Sequence, residues 1–217
     1  MCGRYISPDE AVLERHWGLK QPPNFFQSYN VAPSQSAPVI RRNEADDLEL
    51  GMLIWSFQPD WAKRGWINAR SETAFESKAF GSSCKKRRCL VPATGWYEWQ
   101  GAKSPKQPYV FHLGDFKPIA FAGIWTSRKT PEGWLPSYAI LTRAAESSVK
   151  NIHDRMPVVL RSKDYEVWTD PRLEIEDAKE LLQARADPLH VYPISTYVNK
   201  PANNGPQCIE RINAARP

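Results

Sequence analysis

The residue best equipped for chemistry in this sequence is Cys2. Removal of Met1 would leave it carrying a thiol and a primary amine on adjacent carbons. Methionine removal requires a small second residue, and Cys2 qualifies; Gly3 then leaves the terminus sterically open. An α-amine has a reference pKa of about 7.7–8.0, against about 10.4 for lysine, so at neutral pH a substantial minority of it is an uncharged nucleophile. The thiol, with a reference pKa of about 8.5, is intrinsically nucleophilic. A 1,2-aminothiol meets an aldehyde in two steps: the amine forms an imine, and the thiol closes a five-membered thiazolidine. Cys2 therefore suits an aldehyde better than a cysteine inside the chain. Taken alone, its position reads more readily as incidental.

Three polar clusters sit where a core would not ask for them. Asn68, Arg70 and Glu72 lie in Trp-Ile-Asn-Ala-Arg-Ser-Glu-Thr. Glu98 lies between Tyr97 and Trp99, an apolar setting that can raise a carboxyl pKa toward acid–base use. His153 and Arg155 lie in Asn-Ile-His-Asp-Arg-Met-Pro; the first titrates near neutrality and the second can form a bidentate pair with phosphate. Each has a plainer reading. Glu98 could face outward from an alternating strand, His153 could be structural, and Asn68 and Arg70 could satisfy turns or pair with carboxylates.

The elements that must position these groups are mostly short strands. Runs at 37–41, 48–57, 88–91, 95–99, 108–113, 118–125, 137–143, 157–160 and 190–194 are rich in β-branched and aromatic residues, and a polar turn at 43–47 joins the first two. Helices are predicted over 7–17, with Ser7 as cap, Pro8 in the first turn, Glu10 closing a capping box and Gly18 ending it, and over 71–79, 163–169 and 175–186. Residues 144–150 could add one or two helical turns. Strands outnumber helices and do not alternate with them, which argues against a doubly wound sheet. The expected fold is α+β: one domain over 1–217 with a curved, mainly antiparallel sheet or barrel and short flanking helices.

Composition narrows the class. The 217 residues, 41% hydrophobic, suit one core, and nineteen prolines against eleven glycines imply rigid loops. A net charge of +5 permits a polyanionic partner without requiring one. Residues 1–20 lack an apolar signal region, and no stretch approaches the ~18 apolar residues of a membrane span. The expectation is a cytoplasmic protein whose four cysteines stay reduced. Those cysteines form no C-x-x-C pair and have no histidine at zinc-finger spacing, so neither a metal nor another cofactor is expected. A monomer is the default.

Five blocks occur together: Met-Cys-Gly-Arg at 1–4, Tyr-Asn-Val-Ala-Pro at 29–33, Ile-Asn-Ala-Arg-Ser-Glu-Thr at 67–73, Gly-Trp-Tyr-Glu-Trp at 95–99 and Ile-His-Asp-Arg-Met-Pro at 152–157. In this order they resemble the signature blocks of the SRAP (SOS-response-associated peptidase) family. The resemblance implies a protein that binds single-stranded DNA and crosslinks covalently to abasic sites through a thiazolidine, shielding the lesion, and that is nucleoid-associated when bound. It implies Cys2 as nucleophile, Asn68 as orienting group, Glu98 as general acid–base and His153 as assistant to sugar-ring opening. Arg4, Arg70 and Arg155 would hold phosphates, and Thr142 would touch the backbone. Pro33 and Trp61 would wedge or stack against bases, as aromatic platforms do without reading sequence. Lys78 stands where the family pattern suggests an arginine, keeping the charge but losing the fork. Ser56 follows Trp55 where a glycine is common. Both departures bear on contacts rather than chemistry. The run Lys85-Lys86-Arg87-Arg88 reads as a solvated surface.

Two rivals stand beside this reading. One is a thiol hydrolase: an N-terminal-nucleophile enzyme, an autopeptidase that removes Met1, or a protease using Cys2, His153 and Glu98 as a triad. The glutamine-binding motifs of class II amidotransferases, which also begin Met-Cys-Gly, are not evident. The other is a DNA-binding module in which Cys2 is idle.

Overall fold

A computed structural model describes residues 2–19, 27–102, 106–185 and 187–212. The chain runs through β1 (Tyr5–Ile6), α1 (Glu10–Trp17), β2 (Ser36–Arg42), β3 (Leu48–Trp55), β4 (Asn68–Arg70), α2 (Gly81–Lys86), β5 (Arg88–Ala93), β6 (Gly95–Gln100) and β7 (Gln107–His112). It continues through β8 (Ile119–Thr130), β9 (Gly133–Ala144), α3 (Ser147–Lys150), β10 (Arg155–Pro157), β11 (Val159–Leu160), α4 (Tyr165–Thr169), α5 (Ile175–Leu181) and β12 (His190–Pro193).

The expected α+β architecture is present, and the sheet closes. Strand β9 pairs in parallel with β3, β3 with β2, β2 with β5, β5 with β8, and β8 with β9 again, so five strands form a barrel. Closure removes the open edges that invite intermolecular pairing. A smaller sheet, in the order β1-β6-β7-β12, lies beside it. The barrel interior holds Tyr5, Trp55, Trp96, Phe121 and Tyr138, all fully buried or nearly so, and Cys2 belongs to the same cluster. A second cluster, with Phe57, Leu141 and Trp168, packs outside the barrel wall under α4 and α5. No helix among the described residues is long and apolar enough to cross a membrane.

Local expectations needed correction at several points. Helix α1 starts at Glu10, capped by Asp9, whose carboxylate accepts from the Val12 N–H at 2.8 Å. Ser7 is buried and exchanges hydrogen bonds with Ser28 instead, so the capping box does not form. Gly18 does end the helix, at φ 67°. Residues 71–79 make turns rather than a helix. The Ser71 N–H is drawn to the Thr142 carbonyl at 2.8 Å, and the helix begins only at Gly81, where a Cβ would lie 2.6 Å from the Phe75 carbonyl oxygen. The predicted strand over 157–160 is two short strands, because Val158 bridges Leu141 and Ala122. The helix predicted over 175–186 ends at Leu181; Ala186, like Met1, lies outside the described residues. Arg88 is not a solvated cation. It is 3% exposed, and its guanidinium donates to the carbonyls of Trp168, Cys84, Lys85 and Asp170, tying β5 to α2 and α4.

Candidate active site at the N-terminus

Strand pairing delivers the N-terminus to Glu98. Tyr5 stands opposite Trp96 and Ile6 opposite Gly95, and the Tyr97 N–H donates to the Arg4 carbonyl at 3.0 Å. Continuing that antiparallel register brings the first residues of the chain alongside Glu98. Gly95 permits the close pairing, since a Cβ there would meet the Phe111 carbonyl at 2.7 Å.

Strand β9 supplies the other two groups. On one side it pairs in parallel with β4, with Asn68 opposite Ile140 and Arg70 opposite Thr142. On the other it pairs with β10, with Arg155 opposite Ala144. His153 is the second residue before that strand, at the exit of α3, with its N–H on the Val149 carbonyl at 3.0 Å. Alternation in β4 turns Ala69 into the core and leaves Asn68 and Arg70 on the opposite face.

Within this frame the Asn68 side-chain amide donates to the Cys2 carbonyl at 2.7 Å. The same side chain's Oδ1 is buried without a hydrogen-bond partner among the described residues. Cys2 itself is wholly buried, and its Sγ contacts the Arg4 carbonyl at 3.8 Å. Burial first, and then the charge of Glu98, push its thiol well above the ordinary value. Glu98 is 2% exposed, and burial raises its carboxyl to about 7. Its Oε2 lies 3.9 Å from Nε2 of His153. The Arg155 backbone N–H donates to Nδ1 of the neutral His153 ring at 3.0 Å, and the exposed Asp154 carboxylate stands 3.0 Å from the same nitrogen. Burial lowers the His153 pKa, which favours that neutral form.

Cys2, Asn68, Glu98 and His153 therefore come together from four separate stretches of sequence. The residues assigned to DNA by resemblance divide into two groups. Pro33 and Arg70 are exposed, and the Arg70 guanidinium has no side-chain partner among the described residues. Trp61 is 58% exposed, which removes core packing as its explanation; its ring lies 5.9 Å from that of Trp66, and the Lys78 ammonium sits 5.9 Å above it. The other three face inward. Arg4 donates to Asn30 Oδ1 at 2.8 Å and to the Val198 and Asn199 carbonyls at 2.9 and 3.2 Å, which pins the segment after β12 to the N-terminus. Thr142 is fully buried, with its hydroxyl 3.4 Å from the Ala69 carbonyl. Arg155 forms a fork with Glu72 at 2.6 and 2.8 Å and also holds the Thr142 carbonyl at 2.7 Å.

Sequence reasoning assigned no role to Asn30, Glu72 or Trp66. The first two lie inside blocks already singled out for their motif, so a signal existed. Trp66 could have been found as the partner that an exposed Trp61 needs. Among the described residues no cluster of three or more His, Cys, Asp or Glu side chains could hold a metal ion.

Fold and site together define a closed-barrel α+β protein whose N-terminal cysteine is set against a buried carboxyl, an amide and an imidazole. Residues 1–201 match the family described as SOS response associated peptidase (SRAP), and the chain belongs to that family. It is 36% identical to the abasic site processing protein YoqW of Bacillus subtilis, over 97% of this chain and 99% of that one. It is 31% identical to YedK of Escherichia coli, over 98% and 100%, and 30% identical to HMCES of Gallus gallus, over 100% of this chain and 80% of that one; both carry the same description. Among solved structures, a Bacteroides thetaiotaomicron protein superposes with a TM-score of 0.86 at 23% identity, covering 98% of this chain and all of the other. A phage-related protein from Bordetella bronchiseptica gives 0.74 at 31% identity, over 89% and 94%.

Proposed function

We propose that this protein processes abasic sites in single-stranded DNA by joining them covalently to Cys2 once Met1 has been removed. The observation that carries the reading is the bond from Asn68 Nδ2 to the Cys2 carbonyl, which holds the N-terminal residue beside a carboxyl of pKa about 7. The names of the relatives point to the same lesion.

The ring-opened abasic sugar offers an aldehyde. The free Cys2 amine adds to its carbon, and loss of water gives an imine. The Cys2 sulfur then bonds to the same carbon while its proton passes to the nitrogen, closing a thiazolidine; water is the only product released. Glu98, close to half-protonated at neutral pH, can give a proton to the departing hydroxyl and take one from the thiol. His153, with its Nε2 3.9 Å from Glu98, assists opening of the sugar ring. Asn68 holds the nucleophile's carbonyl, and its unpartnered Oδ1 offers an acceptor to the freed amine or the sugar. Trp61, Pro33, Arg70 and Lys78 form the exposed side on which flanking nucleotides stack and pair with charge. Arg4, Thr142 and Arg155 shape this surface from behind.

The hydrolase reading needs a thiolate and an imidazole aimed at it. Burial and the charge of Glu98 push the Cys2 thiol up, away from the thiolate that a protease triad needs. The deciding test mixes the Met1-free protein with a single-stranded oligonucleotide carrying one abasic site and resolves the products on a denaturing gel. A heat-resistant shifted band that disappears in Cys2→Ala is expected. No band from Met1-free wild-type protein would sink the proposal.

A further inference from the structure

A small cavity of about 230 Å³ lies where the chain just after Pro33 and the chain just before Trp61 meet the β8–β9 hairpin. Its rim includes Ser34, the residue after Pro33, held at φ 70° by the turn. It is also lined by Ile54 and Ser56, at the end of β3 and just beyond it, and by Leu135 and Arg128, paired across the β8–β9 hairpin. Gln58, at the root of the loop that carries Trp61, closes it.

The walls are fixed. The Gln58 N–H donates to the Ser137 hydroxyl at 3.1 Å, and the Lys129 N–H to Asp60 Oδ1 at 2.9 Å, so the loop is stapled to the hairpin at two points. The Ser34 N–H donates to the Trp55 carbonyl at 2.9 Å. The departure from the family pattern at Ser56 falls here. Its side chain stands so close to Gly65 that a Cβ on Gly65 would overlap it, so the loop needs glycine at that position. Arg128 is half-buried in this cavity, and among the described residues its guanidinium has no hydrogen-bond or ion-pair partner. Among the described residues no carboxylate lines the cavity. A half-desolvated cation without a protein partner, with apolar surface beside it, fits a ligand that is anionic at one end and flat and apolar at the other.

We infer that this cavity seats one undamaged nucleotide of the strand bearing the lesion, with its phosphate on Arg128 and its base against Ile54 and Leu135. The inference rests on the abasic-DNA reading and extends it. Ser34 directly follows Pro33 and Gln58 stands three residues before Trp61, so the cavity adjoins both segments proposed to meet DNA. The chemistry of recognition is stacking and charge rather than base-edge reading.

The test measures binding of an undamaged single-stranded oligonucleotide by fluorescence anisotropy over a range of salt, for wild type, Arg128→Ala and Leu135→Trp. Arg128→Ala should weaken binding about fivefold and flatten the dependence of log K on log salt by about 0.7, the loss of one phosphate contact to a single strand. Leu135→Trp fills the cavity without changing charge; it should weaken binding several-fold and leave the slope alone. If Arg128→Ala binds as wild type does, the inference is wrong. If only Leu135→Trp binds as wild type does, Arg128 is a surface cation and the seat is overturned. Failure of the underlying reading is separable, since it would appear as wild-type protein giving no crosslink to the abasic strand.

Discussion

Arg155 fixes His153 through its backbone: its N–H donates to Nδ1 at 3.0 Å while its guanidinium is clamped by both carboxylate oxygens of Glu72. The main chain thus holds the imidazole in place, and the side-chain fork fixes the main chain. Glu72 is a positioning residue on this account, one step removed from the chemistry.

Glu72→Gln tests that chain of contacts. It keeps one acceptor for Arg155 but removes the charged fork. The pair is partly solvated, with the Glu72 side chain 43% exposed, so the stability cost should stay under about 1 kcal/mol. The crosslinking rate should fall several-fold, and its acid limb should move upward in pH as a loosened ring returns toward the ordinary histidine value. The hydrogen bond from Arg155 holds the Glu72 carboxyl below its usual range. Its contribution is therefore complete above the unfolded pKa and lost as pH falls through the folded one, and acid unfolding of the variant should be less steep. A pH–rate profile that coincides with wild type would remove Glu72 from the positioning role.

Glu98 makes a trade between stability and reactivity measurable. Burial carries its carboxyl from 4.5 to about 7. Between those values the native protein holds a proton that the unfolded chain has released, so folding stability falls as pH rises through this window. Glu98→Gln stays neutral throughout. It should match wild type near pH 4 and exceed it by roughly 2–3 kcal/mol above pH 7, a rise of several degrees in melting temperature. Crosslinking by the same variant should slow by about 10²-fold, the usual loss when a general acid–base is removed. Melts from pH 4 to 9 beside single-turnover gels check both. A melting-temperature difference that does not vary with pH would show that Glu98 is not a buried acid titrating near neutrality.

Much of this was legible because local rules and tertiary demands agreed. The hairpin strands β2 and β3 stand within a few residues of the alternation that predicts them, and the polar turn between them is where it was expected. A barrel was among the sheet forms expected, but the pair that closes it was not legible, since it depends on parallel pairing of β3 with β9, across contacts distant in sequence. Strands β1 and β4, of two and three residues, carry no periodicity to read, yet they place Cys2 and Asn68. Cys2 and the residues that the fold gathers around it were singled out by type and motif. Their partners decided the roles of the rest: Asn30 and two carbonyls turn Arg4 inward, and Glu72 does the same for Arg155. Arg88 misled for a related reason, because a cation with enough carbonyl acceptors can be buried, and those acceptors are backbone groups that every sequence has.

The state of the Cys2 thiol gives the sharpest separation between aldehyde chemistry and hydrolysis. Thiol hydrolases depend on a thiolate made available by a lowered pKa, and thiolate fraction sets the rate of alkylation. Here burial and the neighbouring carboxylate both act the other way. Cys84, Cys89 and Cys208 are buried too, and burial raises each of them. Folded, Met1-free protein should therefore react with iodoacetamide at pH 7.5 at least tenfold more slowly than free cysteine at every position, and all four should react at ordinary rates in denaturant. Peptide mass spectrometry of the N-terminal fragment reads Cys2 directly. If Cys2 were alkylated faster than free cysteine while the other three resisted, it would be an activated thiolate, and the hydrolase reading would displace the aldehyde one.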